Sequence, residues 1–217
     1  MSYDLCIFDL DGTLTDPKLG ITKAYQHALA SFGIHEEPDD LDRFIGPPLR
    51  EIFREAYHFS GSDTEKAVTK FREYFAATGL LENSVYPGIP ELLQNLIDSG
   101  RKLAIATSKV KLYTIEILKH FELDRYFTFI SADEMDGSLT RNGKRDIIKL
   151  VLDTLNPELA LTAVMIGDRK HDILGARELG VYSIGVTWGY GSRRELEDAG
   201  AAYIADAPDE LQRLLTS

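Results

Sequence analysis

The feature that most constrains this chain is the recurrence of short aliphatic runs separated by helix-length stretches. The runs are Leu5 to Leu10, Leu103 to Thr107, Phe127 to Ser131, Ala163 to Asp168, Tyr182 to Thr187 and Tyr203 to Ala205. Apolar runs of this length, bounded by polar or glycine-containing turns, predict strands, and helical segments between them predict βαβ units. One such segment carries Ile147, Ile148, Val151, Leu152 and Leu155 on a single helical face. Another is opened by Pro90 and runs to Ser99, with Gly100 just past its end. The expected core is therefore a parallel sheet covered by helices.

A simple crossover does not account for residues 11–102, which separate the first run from the second. The stretch from about Asp16 to Val85 reads as helical throughout. Ile21, Ala24, Tyr25, Ala28, Leu29 and Phe32 mark one amphipathic helix; Leu49, Ile52, Phe53, Ala56 and Tyr57 mark a second; Ala67, Val68, Phe71, Tyr74 and Phe75 mark a third. Asp39 to Phe44 adds a short fourth, ended by Gly46-Pro47-Pro48. The expected organisation is a core of residues 1–15 and 86–217 with a small helical domain, residues 16–85, inserted between its first two strands. The chain enters that domain near Pro17 and leaves it near Pro87-Gly88.

Charge narrows the range of partners. Thirty-five acidic residues against 24 Lys and Arg give a net charge of -11, which argues against binding a nucleic-acid polymer or an anionic membrane. A small anionic substrate stays open, because a pocket with a few cations and a metal overrides an acidic exterior. No run reaches the roughly 20 apolar residues of a membrane span, and Asp4 interrupts the N-terminus before any signal-like stretch. The lone cysteine, Cys6, lies in an apolar run and forms no intrachain disulfide, so a cytoplasmic, reducing location is expected.

The polar residues that stand at strand ends carry the chemistry. The first strand ends in Asp9-Leu10-Asp11-Gly12-Thr13, where an extended chain points two carboxylates the same way and Gly12 permits an immediate turn whose main-chain amides can face an anion. One carboxylate can attack phosphorus while the other protonates the leaving oxygen and then activates water. By itself an Asp-x-Asp is as often a solvated turn or a helix cap. Its distant partners shift the balance. Thr107-Ser108-Lys109 ends the second strand with a hydroxyl and a following helix N-terminus, and Lys144 opens a helix after Asn142-Gly143. Gly167-Asp168-Arg169-Lys170-His171-Asp172 ends the fourth strand, with a helix beginning near His171. Four carboxylates, Asp9, Asp11, Asp168 and Asp172, share a site with phosphate only if cations neutralise them. A hard divalent ion with oxygen ligands, magnesium, suits that set, and no His and Cys cluster suggests zinc.

These residues together resemble the four motifs of the haloacid dehalogenase superfamily, over nearly the whole chain. The insertion resembles the helical cap of its phosphoglycolate phosphatase-like members, as does Gly189-Tyr190-Gly191-Ser192 with Glu195-Leu196 and Ala199-Gly200-Ala201, whereas Phe44-Ile45-Gly46-Pro47-Pro48-Leu49 is closer to a 5′-nucleotidase-like group. The resemblance implies an α/β fold with a Rossmann-like parallel sheet core, helices on both faces and an inserted α-helical cap domain. It implies a magnesium-dependent phosphatase acting through an aspartyl phosphate on a small phosphorylated substrate such as phosphoglycolate or a nucleoside 5′-monophosphate. Asp9 would be nucleophile and metal ligand, and Asp11 the acid/base that also offers its backbone carbonyl to the metal. Thr107 and Ser108, with Gly12 and Thr13, would bind the phosphoryl group, and Lys144 would neutralise nucleophile and phosphate, with Lys109 as its competitor. Asp168 would be a direct metal ligand and Asp172 its outer support.

Other readings remain on the table. Dehalogenases of the superfamily lack the second aspartate, so Asp11 counts against that chemistry. A phosphomutase would keep all of these residues, a non-catalytic phosphorylation switch would not need a cap, and a silent binding protein would usually show a gap in the constellation, where none is evident. There is no Gly-x-x-x-x-Gly-Lys-[Ser/Thr] loop, and Gly189-Tyr190-Gly191 lacks the third glycine of a dinucleotide fingerprint, so these glycines are assigned to a turn near the cap hinge. Substrate choice is assigned to cap cations: Arg50, just after Gly46-Pro47-Pro48-Leu49, with Arg43 and Lys18 in reserve.

Overall fold

The computed structural model of the protein describes residues 3–140 and 143–216. Arg141 and Asn142, the latter part of the turn read before Lys144, lie outside the described residues. Strand β1, Leu5–Phe8, is buried at every position and is the centre of the molecule's main sheet. The chain then forms β2 (Thr15–Asp16) and the helices α1 (Lys18–Ala30), α2 (Pro38–Leu41), α3 (Leu49–Glu55) and α4 (Gly61–Tyr74), and returns through β3 (Ser84–Val85). From there it alternates α5 (Ile89–Asp98), β4 (Lys102–Val110), α6 (Lys111–His120), β5 (Phe129–Asp133), α7 (Lys144–Leu155), β6 (Ala163–Gly167) and α8 (Lys170–Glu178). It ends with β7 (Tyr182–Val186), α9 (Arg193–Ala199), β8 (Tyr203–Ala205) and α10 (Pro208–Thr216).

The main sheet has six strands in the order β5-β4-β1-β6-β7-β8, and its pairings are parallel. Leu5 lies opposite Lys102 of β4 on one side and Ala163 of β6 on the other. The chain builds outward from β1 to β4 and β5, then returns to the other side of β1 with β6. That reversal leaves a crevice beyond the carboxyl ends of β1, β4 and β6, where ligands of open α/β sheets bind. Leu5 and Ile7 of β1 pack with Ala104, Met165 and the α7 residues Ile147, Ile148 and Val151, all fully buried. Each such aliphatic side chain contributes about 1.5–3 kcal/mol through burial. Cys6 belongs to the same buried strand, and burial pushes its thiol up to about 12, so it packs as an inert apolar group.

The contacts divide the chain into two compact units, Asp16–Ser84 and the residues on either side of that span. The helical unit has its own core. Tyr25 of α1 lies with its ring centroid 5.7 Å from Phe44, 5.6 Å from Phe53 and 4.9 Å from Phe71. Aromatic pairs at these separations add about 0.5–1.5 kcal/mol each beyond the area they bury. Ser60 caps α4 by accepting from the Asp63 amide at 3.3 Å. No helix among the described residues is long and apolar enough to cross a membrane.

Several boundaries differ from the sequence expectation. Strand β1 stops at Phe8, because the amides of Thr13, Leu14 and Thr15 all turn back onto the Leu10 carbonyl. Strand β4 runs on to Val110, with a register shift between Thr107 and Val110. Strand β5 begins at Phe129, after a 3₁₀ turn over Asp124–Tyr126. In the helical unit α3 ends at Glu55, and His58, with φ of 53°, closes the turn that holds Tyr57.

Candidate active site

Asp9 follows β1 immediately, and its carboxylate is held on one side. Oδ1 accepts from the Leu10 amide at 2.8 Å and pairs with the Lys144 ammonium, Nζ standing 2.8 Å away. Oδ2 has no hydrogen-bond partner among the described residues. Lys144, the first residue of α7, is buried and also reaches Asp172 Oδ1 at 2.8 Å. Burial works against its charge, but the Asp172 and Asp9 carboxylates outweigh that effect and hold its pKa above that of free lysine.

Asp168 and Asp172 come from the turn after β6. Asp172 sits in the first turn of α8, where its Oδ2 accepts from the Arg169 amide at 3.1 Å. Burial lifts its pKa to about 6 despite the nearby Lys144 ammonium. Asp168 is fully buried; its Oδ2 accepts from the Tyr190 amide at 2.7 Å, and its Oδ1 has no partner. Burial, followed by the charges of Asp172 and Asp9, raises the Asp168 pKa well above that of an ordinary carboxylic acid. Oxygens of Asp9, Asp168 and Asp172 lie within 4.8 Å of one another. Three buried carboxylates face one buried ammonium there, and an oxygen of one of them is orphaned. That donor set fits a hard cation with oxygen ligands and can bind a metal.

Asp11 stands on the other side of the turn. Its Oδ2 meets Lys109 Nζ at 2.6 Å, and its Oδ1 is buried without a partner. Burial raises its pKa, and the Lys109 charge partly offsets that rise. The two lysines that the sequence leaves as competitors therefore stand on different carboxylates, Lys144 on Asp9 and Asp172, Lys109 on Asp11. Thr107 is buried at the end of β4, and its hydroxyl oxygen accepts from the Lys109 amide at 3.3 Å. Ser108 beside it is half-buried.

Two expectations need correcting. The amides of Gly12 and Thr13 do not face outward to an anion: Gly12 donates to the Thr15 carbonyl at 2.8 Å and Thr13 to the Leu10 carbonyl at 3.2 Å. Closing the turn consumes these donors, and the Thr13 hydroxyl is buried without a partner. Gly12 is needed for another reason: at φ of 82° a Cβ there would stand 2.2 Å from Asp168 Oδ2. Nor do Gly189 and Gly191 simply shape a hinge turn. A Cβ on Gly189 would stand 2.3 Å from the Gly12 carbonyl and 2.4 Å from Asp168 Oδ2, and one on Gly191 1.9 Å from the Asp168 carbonyl. The segment after β7 thus lies against the Asp168 carboxylate. Trp188 completes it by donating from Nε1 to the Thr13 carbonyl at 3.0 Å.

The cap cations named from the sequence are each engaged within the helical unit. Arg50 donates to Glu65 from Nε at 2.7 Å and from Nη2 at 3.1 Å. Lys18 bridges Asp39 at 3.0 Å and Asp42 at 2.6 Å. The Arg43 guanidinium lies 4.7 Å over the Phe44 ring.

The carboxylate and lysine cluster thus stands at the topological switch of a parallel α/β sheet, where ligands of such sheets bind. The sequence pattern of the haloacid dehalogenase-like hydrolases matches residues 6–186, and the chain belongs to that family. It is 48% identical over 198 residues to a 5′-nucleotidase of Pseudomonas aeruginosa, covering 90% of this chain and 88% of that one. It is 37% identical over 217 residues to the tyrosine-protein kinase PtkA of Mycobacterium tuberculosis, covering 99% of this chain and 73% of that one. Among solved structures it is similar to a predicted phosphatase of Clostridium acetobutylicum, with a TM-score of 0.91 at 42% identity and 99% of each chain covered. The protein is a phosphatase of this family.

Proposed function

We propose that the protein is a magnesium-dependent phosphomonoesterase acting through a phosphorylated Asp9, with a nucleoside 5′-monophosphate as its favoured class of substrate. The observation that carries the chemistry is the buried set of Asp9, Asp168, Asp172 and Lys144, in which Asp168 Oδ1 lacks a partner. The substrate class rests on the 48% identity to a 5′-nucleotidase. Asp9, Asp168 and the Asp11 main-chain carbonyl would hold the ion, with Asp172 in support. When bound, magnesium would supply positive charge to offset the carboxylates and the substrate phosphate.

With Oδ1 tied to Leu10 and Lys144, Oδ2 of Asp9 is the oxygen that attacks phosphorus. A bond forms between Oδ2 and phosphorus, the ester P–O bond breaks, and Asp11 gives its proton to the departing oxygen. In the second half Asp11 takes a proton from water, whose oxygen attacks the phosphoryl group and releases inorganic phosphate from Asp9. Lys144 balances charge on Asp9 in both halves, and Thr107 offers a hydroxyl to the phosphoryl group. Selection among esters is assigned to the helical unit.

PtkA supplies the second reading, transfer of phosphate to a protein tyrosine. The higher identity to the 5′-nucleotidase, 48% against 37%, favours hydrolysis. Initial rates on a panel of nucleoside monophosphates, phosphoglycolate and sugar phosphates, with magnesium and after chelation by EDTA, test the proposal. Undiminished phosphate release after exhaustive chelation would remove the metal from it. A preference for phosphoglycolate would change its substrate.

A further inference from the structure

Two lysines serve this site, and only one of them touches the nucleophile. Lys109 is directed elsewhere by the irregular end of β4. An undisturbed strand would send Thr107 and Lys109 to the same face, but the register shift between Thr107 and Val110 breaks that alternation. Thr107 stays buried, its hydroxyl oxygen accepts from the Lys109 amide, and the Lys109 side chain extends to the turn after β1. There Nζ stands 2.6 Å from Asp11 Oδ2, with the lysine side chain 7% exposed and the aspartate 12%. Among the described residues this ammonium is the one hydrogen-bond partner of the Asp11 carboxylate, and Oδ1 is buried with none. A carboxylate held by one oxygen presents the other in a fixed direction.

We propose that Lys109 is a positioning residue for proton transfer: by engaging Asp11 Oδ2 it reserves Oδ1 as the oxygen that exchanges the proton with the leaving group and then with water. The inference rests on the acid/base role given to Asp11 above. In the first half the O–H bond at Oδ1 breaks, the proton goes to the ester oxygen as its bond to phosphorus breaks, and the carboxylate left behind stays paired with Lys109. In the second half Oδ1 takes the proton back from the attacking water. Lys109 contacts neither phosphorus nor the leaving oxygen, so its effect depends on how much the leaving group needs a proton.

The test is single-turnover release of the leaving group from phenyl phosphate, whose phenolate departs poorly without a proton, and from 2,4-dinitrophenyl phosphate, whose anion departs readily. Misplacing a catalytic group by about an ångström costs about 10²-fold. Lys109→Met is therefore expected to slow release from phenyl phosphate about 10²-fold and from the dinitrophenyl ester less than about threefold, and Lys109→Arg to recover part of the loss. Asp11→Asn should show the same ordering, and adding Lys109→Met to it should cost less than about threefold more. The double variant has no unpaired buried carboxylate at position 11, so it also guards against misfolding of the single one. Equal losses on both esters, no loss on either, or a full further loss in the Asp11→Asn background would each overturn the role of Lys109 while leaving that of Asp11 standing. If Asp11→Asn itself shows no dependence on the leaving group, the acid/base reading falls and this inference falls with it.

Discussion

In the α/β unit the Lys144 and Lys109 side chains are 3% and 7% exposed and each meets a buried carboxylate, whereas in the helical unit Lys18 and Arg50 are 40% and 33% exposed. Their partners differ in the same way: Asp172 is 1% exposed, while Asp39 and Glu65 are 90% and 58% exposed. A buried ion pair is fixed in place, because neither partner has water as an alternative, and removing one strands the other. Exposed pairs exchange readily with water and contribute about 0–1 kcal/mol. The helical unit is held instead by its aromatic cluster around Tyr25, so its surface charges can change partners at little cost in stability. One unit therefore has charge built into its core, and the other has a core without charge and a charged surface free to vary.

The largest effect should follow from Asp9→Asn, which changes the proposed nucleophile but hardly its volume. Turnover is expected to vanish on every ester, with the thermal midpoint near that of the unaltered protein in the presence of magnesium. Trapping phosphate on the protein by rapid acid quench should succeed with Asp9 and fail with the variant. Near-normal hydrolysis by Asp9→Asn would dissolve the contrast between a chemical core and an accessory helical unit.

That contrast is only partly legible in the sequence. The strands are legible because both faces of a parallel sheet are buried, so Leu5 to Phe8 and Ala163 to Gly167 read as unbroken apolar runs. Asp9 and Asp168 stand out because a charge directly after such a run must sit at a strand end. The division of labour between Lys144 and Lys109 is not legible, since it depends on the register shift that redirects Lys109 toward Asp11. Gly189 and Gly191 show no local reason to be glycine; the reason is the Asp168 carboxylate, brought there by the pairing of β6 and β7. The expected outward-facing amides of Gly12 and Thr13 fail for a similar cause, as only the folded turn shows that carbonyls already take them. A G-x-G shortly after a strand that neighbours the acidic one is the signal that could have placed the Tyr190 segment.

Next in size is the loss of a buried cation. Lys144→Met leaves Asp9 and Asp172 without their shared ammonium and should destabilise the metal-free protein by about 3–5 kcal/mol near neutral pH, read from urea denaturation. A loss below about 1 kcal/mol would put Lys144 on the footing of an exposed helical-unit cation and break the comparison.

The pH dependence of the metal-free protein sharpens it. Asp172 has a folded pKa of about 6 against an ordinary value of 3.8, so the folded state holds a proton there that the unfolded chain has already lost. Its contribution favours folding at low pH and is lost as pH rises from about 4 through about 6, an effect of about 2–3 kcal/mol. His171 acts oppositely in an overlapping window: burial, with Arg169 and Lys170, lowers its pKa below 6.5, so the stability it lends is lost as pH falls. Comparison with Asp172→Asn under EDTA isolates the carboxylate, since that variant should gain stability relative to the parent between pH 5 and pH 7. Added magnesium should stabilise the parent more at pH 7 than at pH 5, because ligation competes with the proton. Parallel pH curves for parent and variant would remove Asp172 from the charge burden of the site.

The smallest effect should come from Arg50→Ala. Its partner Glu65 has a pKa lowered by the Arg50 hydrogen bonds, and both side chains are substantially exposed, so the expected loss of stability is within about 1 kcal/mol. Hydrolysis of 4-nitrophenyl phosphate should be unchanged, because that ester has no second polar group for a helical-unit cation to read. Nucleoside monophosphates provide the sharper measurement. With two N–H groups committed to Glu65, Arg50 contributes to their kcat/KM only if it exchanges that carboxylate for the substrate. A loss confined to nucleotides would show that exchange. Glu65→Gln, which weakens the competing pair, should then raise kcat/KM for the same nucleotides, and no change in either variant would leave Arg50 as a surface charge of the helical unit.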